Sequence, residues 1–172
     1  MKVAFVNELV DSAIPPRGNS AGVCTDGIAD TAAPVCQAAL VSVIIPCYNS
    51  EVFLEEAIGS AMAQTYSPVE IIVVDDGSTD HSPEIAQRFP VRYIRQPNSG
   101  LAASRNLGIR ESKGSYIVFL DADDRLKPEA IETGVRILSQ RPQCAMAVGD
   151  HLFVSHNGSY LSASRKDRKS VV

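Results

Sequence analysis

Three carboxylates, Asp121, Asp123 and Asp124, stand together in Phe119-Leu120-Asp121-Ala122-Asp123-Asp124, directly after the apolar run Tyr116-Ile117-Val118. That run is aromatic and β-branched and is bounded by Gly114, so it reads as a buried strand. Acids side by side at its carboxyl end repel one another and raise each other's pKa. A divalent cation relieves that repulsion. Hard oxygen ligands suit Mg2+ or Mn2+, above all where a diphosphate completes the coordination shell. In open α/β sheets the carboxyl ends of strands are also where ligands bind. Taken alone, the triplet fits a solvated acidic turn equally well.

Further polar groups sit at the ends of other strand-like runs: Tyr48 and Asn49, then Asp75 and Asp76, then the stretch from Asn98 to Arg105. In a parallel sheet these ends share one edge. A planar base can stack on Tyr48, a carboxylate at Asp76 can accept an imide N–H, and Arg105 can meet a diphosphate. Asp121 and Asp123 can then serve a ribose and a metal. A charged donor such as Arg105 is worth roughly twice a neutral one. Each residue has a plainer reading: a packed turn tyrosine, an Asp76-Gly77 turn, a helix-surface arginine. Four such groups on one edge favour a site.

The elements that must hold these groups follow from the pattern. Leu40 to Pro46 is a β-branched run stopped by proline, hence a strand buried on both faces. Glu51 to Gln64 reads as a helix with Phe53, Ala57 and Ala61 in line and Leu54, Ile58 and Met62 beside them. Val69–Val74 is a second strand. Ser82 to Arg88 is a short helix with Ser82 as cap and Pro83 in its first turn. Val91–Arg95 is a third strand, Leu101–Glu111 a helix, and Tyr116–Leu120 the strand before the acids. Pro128–Gln140 is a helix with an inner stripe of Ile131, Val135 and Leu138, and Cys144–Val148 a further strand. His151–Val154 and Ser159–Leu161 flank Asn157-Gly158, which predicts a two-residue hairpin or a close variant. Strand–helix alternation with short links means right-handed crossovers and a mainly parallel sheet with helices on both faces.

Composition limits the alternatives. The 172 residues suffice for one domain, and a net charge of −4 gives no support to a general nucleic-acid binder. Cys24, Cys36, Cys47 and Cys144 form no CxxC pair, and with no export signal they read as reduced thiols in the cytoplasm. Cys47 reads as a small buried filler. The run Val3-Ala4-Phe5-Val6 is broken at Asn7 and Glu8, too short for a membrane span. Residues 11–39, rich in Ala, Gly, Pro, Ser and Thr, show no period, so residues 1–39 are expected to form a disordered or loosely ordered extension. Residues 40–164 form the domain and residues 165–172 a basic, solvated tail. A weak contact of that tail with the inner face of an anionic membrane is the minority reading. GxxxxGK(S/T), GxGxxG after the first strand and GxSxG are all absent, which excludes Walker-type ATPases, ordinary dinucleotide-binding domains and the hydrolase elbow.

Four blocks taken together resemble the opening of the family-2 glycosyltransferases. They are Val41-Ser42-Val43-Ile44-Ile45-Pro46-Cys47-Tyr48-Asn49, Val73-Val74-Asp75-Asp76-Gly77-Ser78-Thr79-Asp80, Asn98-Ser99-Gly100-Leu101-Ala102-Ala103-Ser104-Arg105-Asn106 and Phe119-Leu120-Asp121-Ala122-Asp123-Asp124. Their order and spacing match over about Val41 to Val154. The resemblance implies a Rossmann-like GT-A fold, a nucleotide-diphospho-sugar donor, often a UDP-sugar, and Mg2+ or Mn2+ as cofactor. It places Pro46 and Tyr48 at the base, Asp76 on the base, and Arg105 near the diphosphate. Asn49, Asp75, Asn98 and Ala122 fall within the same donor-binding blocks. Asp121 and Asp123 become the acids of the DxD motif, with Asp123 the direct metal ligand. It further implies an inverting transfer in which the metal acts on the leaving diphosphate and a later carboxylate deprotonates a carbohydrate or lipid-linked acceptor.

The acids after Asp124 are Glu129, Glu132, Asp150 and Asp167, none in the context expected of that base. Asp150, after a strand, is the sole candidate for a substitute. The chain is therefore expected to carry donor binding without the acceptor half and to be incomplete at its carboxyl end. Two rivals are a non-catalytic nucleotide-sugar-binding module or inactive fragment, and a phospho-receiver domain. The second is disfavoured because the acid pair follows the second strand, not the first.

Overall fold

The computed structural model describes residues 2–5, 38–141, 143–149, 153–154 and 160–161. Among the described residues, eight strands and four helices follow in the order β1 (Lys2–Phe5), β2 (Val41–Cys47), α1 (Leu54–Met62), β3 (Val69–Asp75), α2 (Ser82–Ala86), β4 (Arg92–Arg95), α3 (Leu101–Glu111), β5 (Tyr116–Phe119), α4 (Ala130–Gln140), β6 (Met146–Val148), β7 (Phe153–Val154) and β8 (Tyr160–Leu161). Six of the strands form one sheet in the order β4-β3-β2-β5-β1-β6. Every pairing in it is parallel.

Strand β2 runs through the middle and is buried along its whole length, as its largely apolar composition favours. Its alternate residues feed two cores. Val41, Val43 and Ile45 pack with Val73, Val118 and the inner residues of α1 and α4, Leu54, Ile58, Ile131 and Leu138. Ile44 points the other way, with Ile72, Val74 and Ile117, against Leu107 and Ile109 of α3. Helix α3 approaches closely because it presents Gly108: a Cβ there would fall 2.3 Å from Ile44 Cγ2.

Several boundaries differ from the expectation. Helix α1 starts at Leu54, not Glu51, because Ser50 to Glu51 are held by hydrogen bonds to the loop after β3. Helix α2 is capped at His81; Ser82 lies inside it, and its hydroxyl accepts the Ser50 N–H instead of capping. Asp80 Oδ1 accepts the Ser82 N–H in its place. In α1, Phe53 and Met62 are 42% and 48% exposed, so the buried stripe is narrower than predicted.

Of the expected loose extension over residues 1–39, residues 6–37 lie outside the described residues, and the described part includes Lys2–Phe5. These residues form a strand between β5 and β6, pairing Val3 with Ile117 on one side and with Met146 on the other. Four residues carry no readable period, so only the available pairing partners reveal the strand.

The predicted hairpin is present as two short antiparallel strands, Phe153 opposite Leu161 and Val154 opposite Tyr160. A two-residue Asn157-Gly158 turn would set Val154 against Leu161, so the observed register is shifted by one. Two pairs specify register weakly. Residues 155–159 lie outside the described residues, as do Asp150 and the basic tail. Among the described residues, no helix is long and apolar enough to cross a membrane.

Candidate functional site

Because all six strands run the same way, the residues after β2, β3, β4 and β5 gather at one edge, where the sequence places its polar groups. The loops after β2 and β3 are tied together. Asn49 N donates to Ser78 Oγ (3.0 Å), Ser50 N to Ser82 Oγ (2.9 Å) and Glu51 N to Asp80 Oδ2 (3.0 Å). In return Thr79 N donates to Asn49 Oδ1 (2.8 Å) and His81 N to Glu51 Oε2 (2.9 Å). Asn49 takes a positive φ of 49°, which asparagine tolerates better than most residues. Its side-chain oxygen is thus occupied in holding the loop. The seam holds the turn that carries Tyr48, half exposed, two residues after buried Pro46.

Asp75 and Asp76 are both buried but differ in function. Asp75 is fully enclosed: Oδ1 accepts the Ser78 N–H at 2.8 Å, Oδ2 accepts the Tyr93 hydroxyl at 2.5 Å, and Arg95 Nε lies 3.6 Å away. Enclosed in this way it cannot touch a ligand, so the expected contact is replaced by a role in fixing the turn. Burial, and then the bond to Asp75, push the Tyr93 phenol well above its usual range. Asp76 faces the loop before α3. Its Oδ1 accepts from Gln96 Nε2 (2.6 Å) and Ser99 N (2.8 Å), and Oδ2 from Gly100 N (2.7 Å). Burial raises its pKa, but the bonds from Gln96, the two amides and Ser104 outweigh it and hold the carboxyl below its ordinary value. A carboxylate offers about four acceptor positions. Gln96, the two amides and Ser104 address these positions, so a further N–H donor would share one of them.

Arg105, on α3, reaches across to Asp121 after β5, with Nη2 to Oδ1 at 2.6 Å. Its guanidinium carbon lies 5.6 Å from the centre of the Phe119 ring, within cation–π range. Its Nε is shut from solvent with no acceptor. An unpaired buried donor on a cation is costly, and an anion arriving at this edge would relieve it. Asp121 is 43% exposed at its side chain, Ala122 is buried, and Asp123 and Asp124 are exposed on the turn closed by Asp124 N to Asp121 O at 3.0 Å. Among the described residues no three His, Cys, Asp or Glu side chains converge as a metal cage. Two carboxylates on one turn beside an arginine with a spare donor nevertheless fit a hard cation that shares its shell with a diphosphate. Asn98 is exposed on the rim, and Asn98 N would lie 3.0 Å from a Cβ on Gly77.

Sequence reasoning missed Gln96, Tyr93 and Arg95, which brace the two aspartates. Cys47 is buried beneath this edge, as expected of a filler, and burial raises its thiol pKa.

A parallel sheet flanked by helices, with polar residues gathered at its carboxyl edge, defines an open α/β domain. The model of Glycosyl transferase family 2 matches residues 42–164, and the chain belongs to that family. It is 40% identical over 116 residues to glycosyltransferase GlyA of Streptococcus pneumoniae, covering 64% of this chain and 16% of GlyA. It is 49% identical over 90 residues to the uncharacterised glycosyltransferase EpsJ of Bacillus subtilis, covering 49% of this chain and 26% of EpsJ. The chain thus spans only a minor part of these relatives. The fold is the GT-A arrangement. S. aureus TarS 1-349 in complex with UDP-GlcNAc superposes with a TM-score of 0.56 at 28% identity, over 59% of this chain and 32% of TarS. Mannosyltransferase PcManGT of Pyrobaculum calidifontis, in complex with GDP-Man and Mn2+, gives 0.55 at 28% identity, over 60% and 33%.

Proposed function

We propose that the carboxyl edge binds a nucleotide-diphospho-sugar of the UDP-sugar type, and that the chain supplies the donor-binding part of a metal-dependent, inverting glycosyltransferase. The grouping of Asp76, Arg105 and Asp121 carries this reading. It sets an ionised acceptor, a cation with an orphaned donor, and a strand-end carboxylate beside Asp123 along one edge. The nucleotide sugars bound by TarS and PcManGT support the donor class, and the Mn2+ of PcManGT supports a divalent cation.

In this reading Tyr48 offers its ring face to the base, with Pro46 beneath, and Asp76 accepts a base N–H. Asn98 and the backbone at Ala122 border the donor. Arg105 places a fixed positive charge beside the diphosphate, where charge grows as the glycosidic bond breaks. Asp123 and Asp121 would hold Mg2+ or Mn2+. When bound, that cation supplies Lewis-acid stabilisation of the departing diphosphate. The carbohydrate or lipid-linked acceptor is unassigned, as is the base that takes its proton.

The test is a panel of UDP- and GDP-sugars with Mn2+ and simple acceptors, following both donor binding and release of nucleoside diphosphate. Binding with metal-dependent release supports the transferase reading. Binding without release assigns a nucleotide-sugar-binding module. Absence of binding for every donor contradicts the proposal.

A further inference from the structure

Between the acidic turn and α4 the chain runs from Arg125 to Glu129 without helix or strand. Its backbone groups need partners from elsewhere, and the carboxyl end of α1 supplies them. Leu126, buried in the same core as Ile58 and Ile131, donates its N–H to Ser60 Oγ at 3.0 Å. Gln64, two residues beyond α1, makes three bonds. Its Nε2 donates to Lys127 O at 2.8 Å and to Ser60 O at 3.0 Å, and its Oε1 accepts the Ile131 N–H at 3.0 Å. Thr65 continues the seam, with its N–H to Pro128 O at 2.9 Å and its hydroxyl to Glu132 Oε2 at 2.7 Å. The Ile131 N–H belongs to the first turn of α4, where backbone donors have no partner within the helix. Glu129 gives that end no side-chain cap. Gln64 therefore caps α4 from a different element while both of its amide protons hold carbonyls. Glutamate lacks those donors, and asparagine is one carbon shorter.

We propose that Gln64 is a positioning residue for the acidic turn: it pins Lys127 and the first turn of α4 to the end of α1, and so sets where the Asp123 carboxylate stands relative to Asp121. The turn is anchored at two ends. On its amino side Leu120 N donates to Ile44 O at 3.0 Å, and Arg105 holds Asp121. On its carboxyl side the clamp begins at Leu126, three residues after Asp123. Arg125 also pairs with Glu56 at 3.1 Å, but both side chains are half exposed, and such pairs contribute little. A small hard cation demands its oxygen ligands in a near-fixed arrangement. Releasing one anchor widens the range of Asp121–Asp123 spacings, which lowers cation affinity without removing a ligand. The clamp stands on the hydrogen bonds alone; its effect on a cation rests on the donor-binding reading proposed above.

Titration of the full chain with UDP over a series of Mn2+ concentrations reads the role as the Mn2+ midpoint of UDP binding. Groups standing behind metal ligands are worth about 10–100-fold in metal affinity, and Gln64→Ala should raise the midpoint by the lower figure, about tenfold. At saturating Mn2+ its UDP affinity should return close to that of the unmodified chain, because Tyr48 and Asp76 lie on other loops. Ser60→Ala removes the acceptor of the Leu126 N–H and should move the midpoint the same way; it carries the test if Gln64→Ala does not fold. Ile72→Val trims the core on the other face of the sheet, among Ile44, Val74 and Ile117, and controls for lost stability. An unmoved midpoint in the folded variants, or an equal rise in Ile72→Val, would overturn the proposal. Hydrogen exchange on the unmodified, ligand-free chain is a second check. The amides of Leu126 and Ile131 should be protected, and exchange at the rate of unstructured peptide would overturn the clamp itself. If those amides are protected but the unmodified chain binds no UDP at any Mn2+ concentration, the donor-binding reading falls and takes the positioning role with it. Binding with an unmoved midpoint removes the positioning role alone.

Discussion

Arg105 Nη2 lies 2.6 Å from Asp121 Oδ1, so a cation carried by α3 and the first carboxylate of the acidic turn after β5 neutralise each other across the sheet edge. The same guanidinium keeps an Nε without an acceptor. One side chain therefore joins the two halves of the proposed donor site. Arg105→Ala should weaken UDP–Mn2+ binding by about 2 kcal/mol, roughly 30-fold, as expected for a lost charge-assisted contact. Arg105→Lys keeps the charge but loses the planar fork, so it should recover only part of the loss. Calorimetric titration of both variants checks this, and an unaffected Arg105→Ala would remove Arg105 from the donor site.

Asp76 and Gln96 give a second prediction. Asp76→Asn replaces an acceptor of two backbone amides with a group that has one acceptor oxygen and must turn N–H donors toward N–H donors. It should cost about 2–3 kcal/mol of stability and weaken nucleotide binding as well. Gln96→Ala removes one donor and should cost less. The sign of the pH dependence follows from the lowered pKa of Asp76. Its contribution is fully present above the unfolded carboxyl value near 3.8 and is lost as pH falls through the lower folded value. Denaturant melts at pH 7 and pH 3 of the native chain and of Asp76→Asn should therefore differ more at pH 7 than at pH 3.

Two glycines give opposite expectations. Gly108→Ala sets a methyl 2.3 Å from Ile44 Cγ2, between α3 and β2. Overpacking costs about 1–3 kcal/mol, against a gain of about 1 kcal/mol in helix propensity, so the net should be a loss of stability. Gly59→Ala, in α1, meets nothing within 4 Å and should stabilise by roughly 0.5–1 kcal/mol. Thermal melts of the two single variants test the close approach directly; equal effects would contradict it.

His81 donates to Glu51 at an exposed site, and the bond to Glu51 raises its pKa above 6.5. A raised value means that the pairing contributes below pH 6.5 and fades as pH rises through the folded pKa. NMR titration of the His81 ring should give a midpoint above 6.5 that falls in Glu51→Gln. A midpoint unmoved by that substitution would exclude the pair.

Local chemistry in the sequence revealed much of this architecture. The β-branched run Leu40 to Pro46 announced a strand buried on both faces, observed as Val41–Cys47, and α3 runs from Leu101 to Glu111 as its pattern required. Tyr48, Asp76, Arg105, Asp121 and Asp123 do gather at one edge, because parallel pairing brings every strand end there. The bracing was not readable. Asp76 is held by Gln96, Ser99 and Gly100, from a loop some twenty residues further on, and Asp75 by Tyr93 from the neighbouring strand. Such partners depend on register, which no local pattern encodes. The same holds for Lys2–Phe5, whose strand depends on a gap between β5 and β6, and for the hairpin, whose two pairs fix register less firmly than Asn157-Gly158 suggested.

The central claim is that the edge binds a nucleoside diphosphate through a metal held by Asp123 and Asp121. Calorimetric titration of the purified chain with UDP, with and without Mn2+ and in parallel with Asp123→Ala, tests it most directly. The account predicts binding that requires Mn2+ and weakens by several kcal/mol in the variant, far beyond the roughly 0–1 kcal/mol of a surface ion pair. Equal affinity with and without Mn2+, or an unaffected Asp123→Ala, would contradict it.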